Sequence, residues 1–394
     1  MLAGIVCEYN PFHKGHLYQL EKTKEAGADA VVCVMSGNFV QRGECAFLDK
    51  WTRAEMAVRL GADIVLDLPV PWAVSSAESF ARGSVSLLCS FGIDILSFGS
   101  EYTDKEKLLL AAKSVEDDKV LFLAKEYMAG GSTYPLAFSS SVKELYGAEI
   151  ADIISSPNST LAVEYIRQLM KYDAVDFLPV KRMGAAHDSN DTEGEYLSAS
   201  KIRSDIIGDE ELFSALPEKS ASLLQAQFKK GFAPCLMKNN ERAILSSLRE
   251  MSIQELEKYV SDENGLAGRI YEGARASASL EELYDKVKSR NYTHSRVRRE
   301  VLSAYLKIEK HLATDTPPYI RILAASEKGL SLLSSAKKNS ALPIVTKHGE
   351  MQNLDEKSKY IYELQCSSTD KFGLFSPTVR ECGLEQKSPM LVIK

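Results

Sequence analysis

The stretch Leu2-Ala3-Gly4-Ile5-Val6-Cys7-Glu8-Tyr9-Asn10-Pro11-Phe12-His13-Lys14-Gly15-His16 decides the fold of this 394-residue chain. It begins with an apolar run that predicts a β-strand, passes a turn at Pro11, and enters a predicted helix at about Gly15. His13 and His16 are three residues apart, so at a helix start both rings lie on one face. Gly15 allows a phosphate to approach the backbone, and the N–H groups of a helix N-terminus attract anions. The stretch therefore predicts a polyphosphate site in which both imidazoles stabilise phosphate charge.

Two other interpretations of the histidine pair are open. Two histidines three residues apart also occur simply as neighbours on a helix face, but their place directly after an apolar strand favours a functional role. A zinc site would need a third ligand, and only Glu8 is close in sequence. We therefore predict no metal site built from protein side chains.

Apolar runs alternate with helical patterns through the first half of the chain. Strands are predicted at 2–7, 30–35, 63–68, 93–98 and 174–180, with helices at 15–26, 51–60, 74–91 and 159–171. This alternation predicts an α/β fold with a doubly wound, mainly parallel, Rossmann-like sheet that binds its ligand at the carboxyl ends of the strands. After about Ser204 helical patterns dominate, including one at 293–311, with one short strand predicted at 319–324. The boundary divides the chain into domains 1–205 and 206–394.

Composition bounds the class of protein. Apolar residues make up 45% and charged residues 26%, which is typical of a globular chain. No apolar run approaches ~20 residues, so we expect no membrane span. The N-terminus lacks a basic segment and a cleavage site, which argues against a signal peptide. Seven widely spaced cysteines argue against a disulfide framework and predict a reducing, cytoplasmic setting. A net charge of -6 argues against an overall basic surface for nucleic acid.

A second segment carries candidate phosphate ligands. Leu197-Ser198-Ala199-Ser200-Lys201-Ile202-Arg203 begins another predicted helix, where Ser200 could cap the helix and touch a phosphate and Arg203 would be a fixed cation. A plain capped helix is the alternative. Together with His-x-Gly-His, the segment resembles the nucleotidylyltransferase superfamily, which has a Rossmann-like fold. It departs from that pattern at Ala199, where a hydroxyl residue is common.

A closer resemblance runs along nearly the whole chain. The chain is similar to the tRNA(Met) cytidine acetate ligase family in Glu-Tyr-Asn-Pro-Phe-His-Lys-Gly-His at 8–16 and in the blocks at 34–44, 80–84, 98–101, 156–158, 181–182, 292–299 and 317–321. The resemblance implies formation of N4-acetylcytidine at the wobble position, C34, of elongator tRNA(Met). Acetate and ATP would be the co-substrates, an acetyl-adenylate the intermediate, and Mg²⁺ the accompanying cation.

The resemblance also assigns the site residues. It implies that His13, His16, Ser200 and Arg203 are catalytic. It further implies that ATP is bound by Cys7, Glu8, Tyr9, Asn10, Pro11, Phe12, His13, Lys14, Gly15, His16, Leu17, Tyr18, Gln19, Leu20, Gly99, Asn158 and Arg182. Gly99 could instead be only a turn glycine, Asn158 an N-cap, and Arg182 a solvated charge. No protein partner is predicted.

A basic segment predicts where RNA binds. Six cations at 286–300 stand against one acid, with two rings among them; we predict tRNA contacts from Lys286, Lys288, Arg290, Tyr292, His294, Arg296, Arg298 and Arg299. The alternative is a solvated basic helix face. The loop 36–43 could close over acetate or ATP, or be a plain connection. Lys50, Arg53 and Arg59 are predicted to be mostly surface charges.

Two other functions remain open on the sequence alone. A small-molecule adenylyltransferase would use the same histidine pair with a phosphorylated metabolite, but the residues after 205 exceed what such a domain needs. A nonenzymatic RNA-binding protein with a nucleotide fold is the other, and the intact set of His13, Gly15, His16, Ser200 and Arg203 argues against it.

Overall fold

The computed structural model describes residues 1–156, 159–173, 175–183, 197–208, 213, 215–261, 265–290 and 292–394. In chain order the strands are β1 (Leu2–Cys7), β2 (Ala30–Ser36), β3 (Phe39–Val40), β4 (Glu44–Cys45), β5 (Ile64–Leu68), β6 (Ile95–Ser100), β7 (Asp176–Lys181), β8 (Ile320–Ser326), β9 (Ile344–Val345) and β10 (Leu391–Ile393). Eight of them form one sheet in the order β10-β8-β5-β2-β1-β6-β7, with β9 paired to β8, while β3 and β4 form a separate hairpin.

The predicted Rossmann-like sheet is confirmed. Strands β5, β2, β1, β6 and β7 are all parallel to one another. The chain order reverses direction across the sheet at β1, because β2 lies on one side of it and β6 on the other. This is the topological switch point, where sheets of this kind bind their ligands at the carboxyl ends of the strands.

Helices cover both faces of the sheet in the first half of the chain. They are α1 (Lys14–Glu25), α2 (Lys50–Arg59), α3 (Val70–Ala73), α4 (Ala77–Phe91), α5 (Lys105–Val115), α6 (Asp118–Ala129), α7 (Tyr134–Tyr146), α8 (Ala148–Ser155), α9 (Ser159–Leu169) and α10 (Ala199–Gly208). Helices α5 to α9 form an insertion between β6 and β7. The central strand β2 is buried along its whole length, which explains its continuous apolar sequence.

Helices dominate after residue 205, as expected. They are α11 (Glu218–Lys229), α12 (Glu241–Glu250), α13 (Ile253–Tyr259), α14 (Leu266–Ala276), α15 (Leu280–Val287), α16 (His294–Leu306), α17 (Glu327–Asn339), α18 (Glu356–Phe372) and α19 (Leu384–Lys387), with 3-10 turns at Met237–Asn240, Leu312–Thr314 and His348–Asn353.

The last strands belong to the first half's sheet. The strand predicted at 319–324 is β8, and it pairs antiparallel with β5 at the sheet edge. Strands β9 and β10 then add to β8 in parallel. The sheet therefore takes strands from both sides of residue 205, and a domain division at that residue stays a prediction.

Two helix predictions need correction. The helix predicted at 74–91 begins only at Ala77, because the Ser76 side chain caps it by accepting from the Ser79 N–H at 3.3 Å, and a separate short helix, α3, precedes it at Val70–Ala73. The helix predicted at 293–311 ends at Leu306, because Lys307 adopts a left-handed conformation at φ 62°. Within the described residues, none of the helices has the length and apolar character needed to cross a bilayer.

Candidate active site

The two histidines cap the helix that follows β1. His13 is the N-cap of α1, and its Nδ1 accepts the Gly15 N–H at 3.1 Å. His16 reaches back, and its Nδ1 accepts the His13 N–H at 3.2 Å. The pair forms a reciprocal capping box with imidazoles in place of the usual hydroxyl and carboxylate. The rings are stacked with centroids 3.6 Å apart and planes at 21°.

This capping arrangement defines the protonation of both rings. Because each Nδ1 accepts a backbone N–H, each neutral ring carries its proton on Nε2. Desolvation, with the charges of Arg182 and Arg203, lowers the pKa of His13 to about 3. Desolvation also lowers the pKa of His16 well below its usual value, with further contributions from His13 and Arg182. The site therefore presents two neutral N–H donors at neutral pH.

Buried aromatic rings fix the orientation of His16. Its ring lies edge-on to Tyr9, with centroids 4.9 Å apart, and to Phe12 at 5.6 Å. Tyr9 and Phe12 are themselves almost fully buried. Tyr9 takes a left-handed backbone conformation at φ 45°, which turns the chain sharply between β1 and α1. Residues of the first turn after β1 thus hold the histidine pair in place.

Several residues of the predicted ATP segment, 7–20, are buried in the hydrophobic core next to the candidate site. Cys7, Tyr9, Phe12 and Leu20 lie in the hydrophobic core, so nucleotide contacts at these positions would have to come from the backbone. Burial raises the pKa of the Cys7 thiol well above its usual value, which argues against a nucleophilic role. The residues of this segment that are only partly buried are Glu8, His13, Lys14, Gly15, His16, Leu17, Tyr18 and Gln19.

The second predicted phosphate segment meets the first. Arg203 Nη1 donates to the carbonyl of Asn10 at 2.9 Å, although 193 residues separate them. Asn10 is held in turn, because its Oδ1 accepts the Phe47 N–H at 2.7 Å. The prediction that Ser200 caps α10 is wrong. Ser198 accepts the Lys201 N–H at 3.2 Å, one position before the helix begins, whereas Ser200 is exposed in the first turn.

Gly99 and Arg182 lie at the same edge of the sheet. Gly99 is the next-to-last residue of β6, and a Cβ there would lie 3.3 Å from Arg182 Cγ. Arg182 follows β7, and its charge acts on both histidines. The site thus combines β1, β6, β7 and α10. Asn158 lies outside the described residues.

Two cations that the sequence assigns to the surface are buried behind the site. Lys50 has no exposed surface and forms ion pairs with Asp67 and, at 2.7 Å, with Glu385. Glu385 also pairs with Arg321 at 2.9 Å. Arg53 is equally buried, whereas Arg59 is exposed as expected. The partners of Lys50 lie on β5 and α19, so no local sequence signal could have found this cluster.

The buried cluster connects the C-terminal segment to the loop after β2. Asn38 in that loop donates to Thr369 of α18 at 3.2 Å, and Thr369 donates to Glu385 at 2.7 Å. Phe39 packs edge-on against Phe372 of α18 with centroids 5.9 Å apart. The loop 36–43 therefore packs against α18, which is linked in turn to α19.

The predicted RNA segment divides into exposed and paired cations. Lys286, Lys288 and Arg290 are exposed in or just after α15, and Lys286 also pairs with Glu282 at 2.6 Å. On α16, Arg298 pairs with Glu44 at 2.6 Å, and Arg296 donates to Ser261 Oγ at 3.0 Å.

The remaining predicted RNA residues are less accessible. Arg299 is half-buried, and desolvation lowers its pKa. His294 Nε2 lies 3.5 Å from Asp285. Tyr292 is only 2% exposed, so its ring is not available to stack on a base in this structure. The ring packs into the helical core, and a tRNA contact from Tyr292 stays a prediction.

The model of the HIGH Nucleotidyl Transferase family matches residues 1–387. The chain is 36% identical over 400 residues to a tRNA(Met) cytidine acetate ligase of Thermoanaerobacter sp. (strain X514), with 99% of both proteins covered. It is 35% identical over 413 residues to the tRNA(Met) cytidine acetate ligase of Acetivibrio thermocellus, with 100% of both covered.

Solved structures agree with these sequence comparisons. The chain matches the apo crystal structure of Thermotoga maritima TmcAL with a TM-score of 0.94 at 32% identity. It matches TmcAL bound with alpha-thio ATP with a TM-score of 0.91 at 32% identity. Both matches cover 100% of each chain.

Proposed function

Because the chain belongs to the HIGH nucleotidyl transferase family and, within it, to the tRNA(Met) cytidine acetate ligases, we propose that it makes N4-acetylcytidine at the wobble position, C34, of elongator tRNA(Met). The enzyme is an ATP-dependent ligase. Acetate supplies the acetyl group. The observation that carries the proposal is the convergence of two neutral imidazole N–H donors with Arg182 and Arg203 at the switch point of the sheet.

The first step forms the acetyl-adenylate. A carboxylate oxygen of acetate attacks the α-phosphorus of ATP, the bond to the bridging oxygen breaks, and pyrophosphate leaves. Negative charge grows on the non-bridging oxygens and on the leaving group. Nε2–H of His13 and of His16 would donate to these oxygens, and the α1 N-terminus adds its dipole.

Cations are needed because both reactants are anions. Arg203 is held by the Asn10 carbonyl, and Arg182 lies over Gly99, so both charges are positioned before substrate binds. Such preorganised charge lowers the barrier without reorganisation during the reaction. Ser200 lies in the exposed first turn of α10, where its hydroxyl would reach a phosphate.

Mg²⁺ would accompany the triphosphate. Among the described residues, no three His, Cys, Asp or Glu side chains lie close enough together to hold a metal. A cation carried by phosphate oxygens and water fits this arrangement, since Mg²⁺ in nucleotide sites keeps several waters and binds few protein ligands. It would neutralise phosphate charge.

The second step transfers the acetyl group. The N4 amine of cytidine attacks the carbonyl carbon of the mixed anhydride, the bond to the adenylate oxygen breaks, AMP leaves, and the amine loses a proton. The base must be unpaired, and an anticodon loop supplies such a base. Exposed Lys286, Lys288 and Arg290 would contact tRNA phosphates. A cytoplasmic location fits a tRNA substrate.

Acetate-dependent exchange of labelled pyrophosphate into ATP tests the first step directly. We expect exchange only when acetate is present, because the reverse reaction needs the acetyl-adenylate. Propionate and glycerol phosphate serve as comparison nucleophiles. Exchange that depends on a phosphorylated metabolite, and not on acetate, would favour a small-molecule adenylyltransferase. ATP binding without exchange under any condition would leave an RNA-binding role.

A further inference from the structure

Arg53 occupies an unusual position on α2, between the ends of two strands. Its side chain has no exposed surface. The guanidinium donates to four backbone carbonyls: Nε to Leu48 at 3.0 Å, Nη1 to Glu8 at 2.5 Å and to Ser36 at 3.0 Å, and Nη2 to Gly37.

Burial of the Arg53 charge costs desolvation free energy, and hydrogen bonds to backbone carbonyls offset it. A buried guanidinium is expensive unless its donors are all used. All four of its hydrogen-bond acceptors in the described part of the chain are backbone carbonyls. Desolvation lowers the pKa of Arg53 to about 10, so it remains charged at neutral pH. The Arg53 guanidinium therefore holds backbone segments in place through these hydrogen bonds.

Three of the four acceptor carbonyls, those of Glu8, Ser36 and Gly37, belong to two loops that face each other, whereas Leu48 lies just before α2. Glu8 begins the loop that carries the histidine pair. Ser36 and Gly37 end β2 and begin the loop 36–43. A second contact joins the same loops, since the Gln41 N–H donates to Glu8 Oε1 at 2.9 Å.

We propose that Arg53 is a positioning residue for adenylation, which sets the loop after β2 against the nucleotide loop so that acetate is aligned with the α-phosphorus. The inference rests on the proposed function. ATP itself is held by the histidines and by Arg182 and Arg203, none of which needs Arg53 directly. Alignment of the second reactant is the part that depends on the distance between the two loops.

Arg53→Lys separates charge from geometry. A lysine keeps the positive charge, but its single ammonium cannot reach both loops as the planar fork does. We expect kcat for acetate-dependent exchange to fall by about 30-fold or more, and KM for ATP to change by less than about threefold. Arg59→Lys is the matched control on the same helix, because Arg59 is exposed and, among the described residues, its ion pair is with Glu55 at 2.7 Å.

The exchange rate is measured per ATP-binding molecule, from a titration of ATP-binding stoichiometry on the same sample. If Arg53 only stabilised the fold, fewer molecules would bind ATP but each would exchange at the wild-type rate, and the inference would be overturned. A low rate per binding-competent molecule supports it. A wild-type enzyme without acetate-dependent exchange would overturn the proposed function and this inference together.

Gly37→Ala gives a second test if Arg53→Lys does not fold. A Cβ at Gly37 would lie 3.2 Å from Asp67 Oδ1 and from Gln365 Nε2, and this tight contact is relieved by a displacement of a few tenths of an ångström, either of these buried side chains or of the loop that carries the acceptor carbonyl. Arg53 itself is untouched. We expect the same loss of kcat with ATP binding retained, and a wild-type rate per competent molecule would contradict the positioning role.

Discussion

Arg298 of helix α16 forms an ion pair with Glu44 of the β3–β4 hairpin at 2.6 Å. The same hairpin approaches α16 at Gly43, where a Cβ would lie 2.5 Å from the backbone nitrogen of Arg299. The loop after β2 therefore rests on the helical region that carries the basic segment. Arg298, which the sequence assigns to tRNA binding, thus forms an ion pair within the protein.

Removal of this pair should destabilise the fold modestly. The two side chains are each 28% exposed, so we expect Glu44→Gln to lower the free energy of unfolding by about 0.5–1 kcal/mol. Glu281→Gln is the control, because Glu281 is 72% exposed and lies 3.5 Å from the same arginine. Urea denaturation of both variants measures the difference. Equal losses of unfolding free energy in the two variants would show that the Arg298–Glu44 ion pair does not stabilise the fold more than the exposed Arg298–Glu281 contact.

The tRNA contacts should come from the exposed cations. We expect Lys288→Glu and Arg290→Glu each to weaken tRNA binding by about tenfold at 0.1 M salt, with ATP binding unchanged, because phosphate contacts dominate affinity. Lys125→Glu, exposed on α6, is the charge-matched control. Filter binding at two salt concentrations makes the measurement. If Lys125→Glu weakened tRNA binding equally, the loss would come from net charge alone, and the predicted contacts of Lys288 and Arg290 would be contradicted.

His13→Asn separates the capping role of His13 from its chemistry. Asn is a strong N-cap and can accept the Gly15 N–H, but it lacks a donor at the Nε2 position. Exchange activity should fall by about 100-fold or more, with stability within about 0.5 kcal/mol of wild type. His13→Ala should lose about 1 kcal/mol of stability as well. Near-normal turnover by His13→Asn would exclude the phosphate role.

The lowered pKa of His13 should appear in the pH dependence of stability. An unfolded histidine titrates near 6.5, whereas folded His13 titrates at about 3. Between these values the unfolded state binds more protons, so stability is fully present above about pH 6.5 and is lost as the pH falls towards 3. From pH 7 to pH 5, wild type should lose about 1–2 kcal/mol more than His13→Asn, as measured by urea denaturation. Equal losses would mean that His13 is not held neutral.

Local patterns predicted where parts of the candidate site lie, because they follow strand ends, whereas their contacts with ATP stay a prediction. The turn after β1 placed His13 and His16, and Gly99 and Arg182 follow from the strands that carry them. The resemblance of 197–203 to a second phosphate-binding segment assigned Arg203 to the site, and in the structure Arg203 donates to the Asn10 carbonyl. Such features depend on short segments and on parallel pairing, which periodicity in the sequence reports well.

Long-range contacts account for what the sequence did not predict. In the sequence Lys50 resembles a surface lysine, but in the structure it is buried and paired with Asp67 and Glu385. Glu385 lies 335 residues away in the sequence. Tyr292 sits in a basic run, yet it packs into the helical core. β10 is only three residues long and joins the sheet through β8. In each case tertiary packing overrides the local pattern.

Transfer of oxygen from acetate to AMP tests the central claim most directly. The enzyme is given acetate labelled with ¹⁸O in both carboxylate oxygens, ATP and elongator tRNA(Met), and AMP is analysed by mass spectrometry. Attack of acetate on the α-phosphorus, followed by attack of the cytidine amine on the carbonyl carbon, leaves one labelled oxygen on the phosphate of AMP. We predict one ¹⁸O in AMP for each acetylated cytidine. Acetylated tRNA accompanied by unlabelled AMP would contradict the acetyl-adenylate mechanism.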